Sequence, residues 1–146
     1  MKTWILVGLV LVFVVVWLLL VPKAQEPLPV EMRPSPIHGR GMFATRPISV
    51  GTIVERAPLI PIHRDSDLTM ESTLRKYDIA YKNGQHAVML GYASIYNHSD
   101  DNNVIWDFEP DEDIIYIKAI KDIKPGEEVC VSYGPNYWPN RMNEKK

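Results

Sequence analysis

The hydrophobic positions of the chain are concentrated near its amino terminus in one unbroken run. Residues 4–21 are 18 consecutive apolar residues without a charge. At ~1.5 Å rise per residue, such a helix is roughly 27 Å long, close to the thickness of the hydrocarbon layer of a bilayer. A cleaved secretory signal is the alternative, but signal cores usually span about 7–15 residues and end in a small-residue cleavage site, which residues 21–25 do not offer. The pattern therefore predicts an uncleaved transmembrane helix over 4–21.

Beyond residue 36 the apolar runs are short and are separated by turn residues, which is typical of strands. Strand-like runs lie at 52–54, 58–62, 87–96, 104–108, 114–120 and 129–133. The acid-rich segment 109–113 separates two of these runs and predicts a hairpin. Segment 67–82 has a capping residue and apolar spacing that favour a helix. The sequence therefore predicts a mostly β domain with little helix.

Five prolines, at 22, 27, 29, 34 and 36, lie between the apolar run and this domain. Proline fixes φ and lacks a backbone donor, so 22–35 is predicted to be a stiff, extended tether. The predicted organisation is a transmembrane helix at 4–21, the proline-rich tether at 22–35, a globular domain at 36–138 and a polar tail at 139–146.

Charge and cysteine content exclude several classes of function. Outside the apolar run and its short leader the chain has a net charge of −3, so it has no basic footprint for nucleic acid. Cys130 is the only cysteine, which excludes a disulfide framework and a cysteine-rich zinc site. No metal is expected, because no second ligand lies at metal-binding spacing from His98.

Three separated motifs carry candidate chemistry. In segment 38–44 two glycines flank Arg40 and permit a close backbone approach to a ligand, although a tight turn would use them equally well. Asn97-His98-Ser99 is a polar loop suited to holding a cofactor or another segment, and it also matches a glycosylation sequon. In segment 125–134, Tyr133 ends a strand-like run and can direct its hydroxyl into a cleft, or it can simply be a core tyrosine.

The order and spacing of these motifs resemble the SET domain of protein-lysine methyltransferases, in which G-x-G, N-H-S-x-x-P-N and G-E-E-[apolar]-x-x-x-Y-G follow one another. The likeness runs from about residue 36 to 138. Segments 90–99 and 132–138 are especially similar to the minimal SET enzymes of large DNA viruses and some bacteria. The resemblance implies a β-clip-like fold of short sheets with a carboxyl-terminal pseudoknot. One departure is Asn102, which replaces the family's proline.

The resemblance also implies roles for individual residues. It implies S-adenosylmethionine as methyl donor, held by Gly39, Arg40, Gly41, Asn97, His98, Tyr133 and Trp138. Tyr133 matches the catalytic tyrosine that orients the methyl group and the lysine amine. Candidate residues of the substrate channel are Tyr77, Tyr81, Val131 and Tyr137. Because Val131 has no hydroxyl, the resemblance predicts that more than one methyl group can be added.

The predicted function is thus methyl transfer to a protein lysine, with a histone tail as one candidate substrate. The enzyme is expected to be a single-pass membrane protein whose domain faces the cytosol, where the methyl donor is made. The acids of 107–113 are candidates for attracting a basic peptide, although a solvated turn explains them equally well. A homodimer is left open. The alternatives are a catalytically silent, membrane-tethered SET scaffold and an extracellular domain that reuses the fold.

Overall fold

The structure is a computed structural model that describes residues 13, 16, 17, 20, 21, 26–62, 77–109, 112–135 and 137. Within these residues, two antiparallel sheets contain eight strands. The strands are β1 (Val30–Pro34), β2 (Arg40–Ala44), β3 (Ile53–Ile62), β4 (Asp78–Ala80), β5 (His86–Met89), β6 (Val104–Glu109), β7 (Ile114–Ala119) and β8 (Glu128–Val129). The smaller sheet has the order β1-β2-β8 and the larger one the order β4-β5-β3-β7-β6.

The larger sheet follows from alternating apolar and polar positions. Along β7 every second residue is buried, ending in Ile115, Ile117 and Ala119 on the inner face. One inner face and one outer face is the usual arrangement of an antiparallel sheet. A register shift between Ile53 and Glu55 interrupts the ladder of β3 with β7, so that Glu55 joins Val54 in the interior. This bulge brings a carboxylate into the core.

The carboxyl-terminal segment is hydrogen-bonded on both sides. On one side β8 pairs with β2, at Met42 and Phe43. On the other side Val131 forms a parallel bridge with His98. The side chain of Asn103 acts as a further neighbour, because its Nδ2 donates to the carbonyl oxygen of Glu128 at 2.9 Å and its Oδ1 accepts from the amide of Cys130 at 2.9 Å. Residues that are far apart in sequence therefore meet around segment 128–133.

The strands confirm the mostly β prediction and the hairpin of β6 with β7. The predicted helix over 67–82 is wrong where it is described: 78–80 form β4 and Lys82–Gly84 form a 3-10 turn. Pairing with β5 satisfies the backbone of β4 and buries Ile79, so tertiary contacts override local helix preference. The rest of that segment lies outside the described residues.

The predicted tether is also shorter than expected. Residues 30–34 form the edge strand β1, paired with β2 over its whole length. Pro34 is accommodated because it lies at the end of an edge strand. The predicted transmembrane helix and polar tail fall outside the described residues, apart from five positions between 13 and 21. Among the residues that are described, no helix is both long and apolar enough to cross a membrane.

Candidate active site

Tyr133 is fixed at both its backbone and its side chain. It follows β8, and its amide donates to Nδ1 of His98 at 3.1 Å. Its hydroxyl donates to the carbonyl oxygen of Tyr96 at 2.8 Å. The hydrogen of the phenol is thus directed to the backbone, and a phenol oxygen can also act as an acceptor. One short segment, 96–98, therefore holds both the backbone and the half-buried side chain of Tyr133.

Aromatic rings surround Tyr133. Trp106 of β6 lies parallel to it, with ring centroids 5.7 Å apart and planes inclined by 8°. Tyr137 approaches to 4.6 Å and His98 to 5.3 Å, both in tilted arrangements. The indole Nε1 of Trp106 is buried and has no hydrogen-bond partner among the described residues. Nε1 of Trp106 is therefore a hydrogen-bond donor beside Tyr133 that no described residue uses.

Sequence analysis did not identify Trp106. The strand alternation was the available signal, since Ile105 and Asp107 face outward and the residue between them must face the other way. What the sequence does not reveal is that this inner position lies against Tyr133.

His98 holds Tyr133 through its ring. Because Nδ1 accepts the amide of Tyr133, the hydrogen-bond network assigns the ring proton to Nε2, which lies 3.0 Å from the carboxylate of Asp100. Both nitrogens are thus occupied within the chain. His98 is placed to orient the loop after β8, and its predicted contact with a cofactor stays a prediction.

Asn97 connects the glycine segment, residues 38–44, to β8. Its Nδ2 lies 3.2 Å from the carbonyl oxygen of His38, 3.1 Å from that of Arg40 and 2.8 Å from Oε1 of Glu128. Its side chain is buried, with 7% of the residue exposed. An amide in this position is inaccessible to glycosylation in the folded domain, so the sequon at 97–99 is better explained by these contacts.

Glu128 is a further residue of the site that sequence analysis did not single out. Its two carboxylate oxygens accept from the hydroxyl of Ser35 at 2.8 and 2.9 Å. A Cβ on Gly41 would overlap Oε1 of Glu128 and come within 3.0 Å of Nδ2 of Asn97. Only glycine at position 41 therefore lets the side chains of Glu128 and Asn97 lie this close to the backbone. Gly39 differs, because it has φ +49° and open space at its Cβ position.

The one thiol of the chain lies next to this network. Cys130 is buried, and burial raises the pKa of its thiol to about 11, with a smaller contribution from the charge of Glu128. A thiol with a raised pKa is a poor nucleophile at neutral pH. Cys130 thus behaves as a core residue.

The predicted channel residues occupy different surroundings. Tyr137 contacts Tyr133, as described above. Val131 is fully buried and bridges to the backbone of His98. The hydroxyl of Tyr81 donates to Asp113, and its ring lies 6.3 Å from that of Phe108. Tyr77 is exposed just before β4, and Trp138 lies outside the described residues.

Three acids of the β6–β7 hairpin are paired with nearby bases. Distances between the charged atoms are 3.1 Å for Glu112 with Arg56, 3.2 Å for Asp113 with Lys82 and 3.6 Å for Asp107 with Lys118. These exposed pairs reduce the field that would attract a basic peptide. Among the described residues, no group of three or more His, Cys, Asp or Glu side chains is arranged to hold a metal ion.

Comparisons with known proteins agree with this arrangement. Residues 39–134 match the SET domain. "Histone-lysine N-methyltransferase, H3 lysine-37 specific" of Schizosaccharomyces pombe is 30% identical over 120 residues, which cover 81% of this chain and 80% of that protein. The crystal structure of a proposed histone methyltransferase of Plasmodium falciparum has a similar fold, with a TM-score of 0.65 and 23% identity, over 77% of this chain and 99% of that one. The chain belongs to the SET-domain family of protein-lysine methyltransferases.

Proposed function

We propose that the protein transfers a methyl group from S-adenosylmethionine to the side-chain amine of a lysine in a protein, and that it does so at a membrane surface. The proposal of methyl transfer rests on one observation, which is that Asn97, His98 and Tyr133 lie close together. These residues lie 36 positions apart at most, yet the backbone amide of Tyr133 bonds His98 and its hydroxyl bonds the residue before Asn97.

The chemistry asks for positioning more than for proton transfer. A lysine amine has an ordinary pKa of about 10.4 and must be neutral when it attacks. Its nitrogen and the methyl carbon must be held in line at about 3 Å, which lowers the barrier by fixing orientation. The oxygen of Tyr133 suits this task because its own hydrogen is engaged with Tyr96. It acts as an acceptor that orients the reacting groups.

The glycine segment and Asn97 fit the methyl donor. Open space at Gly39 lets a ligand approach the backbone closely. The side chain of Asn97 bonds through Nδ2 within the described residues, which leaves Oδ1 as an acceptor for an ammonium group. We assign Gly39, Arg40, Gly41 and Asn97 to cofactor binding, with Trp138 retained as a candidate. The bound donor supplies an electrophilic methyl on a sulfonium centre.

Trp106, Tyr133 and Tyr137 are the best candidates for walls of the lysine channel. Their clustered rings can cover the aliphatic stem of a lysine and attract a methylated ammonium group. Tyr77 and Tyr81 are retained as outer candidates, although the hydroxyl of Tyr81 is engaged by Asp113. Addition of more than one methyl group stays a prediction, which product mass spectrometry with excess enzyme can test.

A histone tail is the first substrate to test. The related protein of Schizosaccharomyces pombe is described as specific for a lysine of histone H3. Sequence identity of 30% does not establish that the two proteins methylate the same lysine. Ribosomal and membrane-proximal proteins therefore belong in the same assay.

Membrane attachment is proposed from the unbroken apolar sequence of 4–21. Phe13, Val16, Trp17 and Leu20 have helical backbone, and each exposes 46–75% of its surface. The domain would face the cytosol. Fractionation of cells that express the full chain should place it with membranes after alkaline washing, and recovery in the soluble fraction would refute the anchor.

The test of the transfer reaction uses the full chain in lipid nanodiscs with radiolabelled S-adenosylmethionine and a lysine-rich protein mixture. The wild type should label protein, and Tyr133→Phe should lose about 100-fold or more of kcat, in the range of a lost transition-state contact. Tyr116→Phe, on the outer face of β7, is the matched control and should retain activity. Binding of the methyl donor without transfer by the wild type would favour the scaffold alternative.

A further inference from the structure

Glu55 is a charged residue in the core, behind the active site. Only 5% of its surface is exposed, because the bulge in β3 turns it inward. A buried carboxylate is costly unless it is paired or hydrogen-bonded. No role for it follows from the three motifs that define the site.

Within the described residues, the hydrogen bonds to the Glu55 carboxylate come from one short segment. Oε1 accepts from the amide of Tyr92 at 2.8 Å, and Oε2 accepts from the hydroxyl of Tyr96 at 3.1 Å. Burial raises the pKa of Glu55, and the bonds from Tyr92, Tyr96 and Ala93 oppose that rise. The same carboxylate thus holds the start and the end of segment 92–96.

Gly91 makes this arrangement possible. Its φ is +72°, and a Cβ at this position would lie 2.5 Å from Oε1 of Glu55. The carboxylate therefore fills the space that a side chain would take. The turn at 91–95 is built around Glu55.

Tyr96 links this turn to the catalytic tyrosine. It is almost fully buried, its hydroxyl donates to Glu55, and its carbonyl oxygen accepts the hydroxyl of Tyr133. Glu55 thus bonds the side-chain end of Tyr96, and Tyr133 bonds its backbone. Displacement of the Tyr96 side chain would therefore move the acceptor of Tyr133.

We infer that Glu55 is a positioning residue for methyl transfer, which sets the place of the Tyr96 carbonyl oxygen and through it the orientation of the Tyr133 hydroxyl. The assignment rests on the proposed function. A carboxylate suits this task better than an amide does, because both of its oxygens are acceptors and it receives an N–H and an O–H at once. Glutamine keeps only one acceptor atom at nearly the same volume.

Kinetics in two backgrounds distinguish positioning from a merely structural role. In the wild-type background we expect Glu55→Gln and Tyr96→Phe each to lower kcat about tenfold with KM changed less than twofold. The double variant should lose little more than either single variant, because both act through one contact. In the Tyr133→Phe background the same changes should lower the residual kcat less than twofold. Equal losses in both backgrounds would overturn the assignment.

A spectroscopic measurement tests the same link without methyl transfer. With 3-fluorotyrosine placed at position 133, we expect Glu55→Gln to move the ¹⁹F resonance, because the hydrogen bond of that ring changes. The same label at Tyr81, which bonds Asp113, is the control and should not move. An unmoved signal at position 133 in the folded variant would overturn the assignment whether or not the wild type transfers methyl groups. Transfer by the wild type reports separately on the proposed function.

Discussion

The two sheets of the domain depend on different interactions. The five-stranded sheet has long ladders, an inner face of buried apolar side chains and an outer face with exposed ion pairs. The region around the three-stranded sheet has a short strand, β8, and is held by side chains that bond backbone groups far away in sequence. The five-stranded sheet should therefore tolerate changes on its surface. In the region around the three-stranded sheet, removal of one polar contact should displace the side chains of the active site.

A pair of glycine substitutions should give the largest contrast. Gly41→Ala places a methyl group on Glu128 and Asn97, so we expect complete loss of methyl transfer and about 3 kcal/mol lower free energy of unfolding. Gly51→Ala meets nothing within 4 Å and only the strain of φ +85°, about 1 kcal/mol. Urea denaturation and the transfer assay compare the two. Similar activity of both variants would remove the distinction between the regions.

Replacement of Trp106 should show how a strand of the large sheet contributes to the site. Trp106→Ala removes the ring stacked on Tyr133, and we expect kcat/KM to fall about tenfold, consistent with loss of a stacked pair worth ~1 kcal/mol and of covered surface. Trp106→Phe keeps an aromatic ring but removes the Nε1 donor. It should retain most of kcat, and mass spectrometry of its product will show whether that donor limits the number of methyl groups added. Equal losses in both variants would indicate that the donor matters more than the ring.

Alkaline pH should weaken the site region through Cys130. The thiol has an ordinary pKa of 9.0 and a folded pKa of about 11, so above pH 9 the unfolded chain releases a proton that the folded chain retains. The free energy of unfolding should therefore fall as the pH rises from 9 toward 11. Cys130→Ala should reduce that fall relative to the wild type. Parallel pH profiles for the two proteins would show that the thiol does not contribute.

Charge reversal on the β6–β7 hairpin should have the smallest effect. Asp107→Lys breaks one exposed pair with Lys118, and we expect less than about 0.5 kcal/mol change in the free energy of unfolding. If the hairpin attracts basic substrates, KM for a basic peptide should rise a few-fold at low salt and less at high salt. An unchanged KM at both salt concentrations would assign these acids to solvation of the turn.

The sequence predicts best what depends on local pattern. Two strand-like runs on either side of the acid-rich segment 109–113 identified the hairpin of β6 with β7, and the motif residues Asn97, His98 and Tyr133 do meet. Partners set by distant contacts were not predictable in this way. Ser35 and Glu128 are 93 positions apart, and the inward side chain of Glu55 depends on a bulge that interrupts the alternation. Residues 78–80 lie in a segment whose apolar spacing favours a helix. They form a strand because they pair with β5.

The contact between Ser35 and Glu128 has a practical consequence for how the chain can be shortened. Removal of residues from the amino end reaches β1 at residue 30, and from there each further deletion takes an edge partner from β2. A truncation past residue 35 would also release the Glu128 carboxylate that bonds Asn97. A shortened version meant for crystallisation or biochemistry therefore has to begin before residue 30.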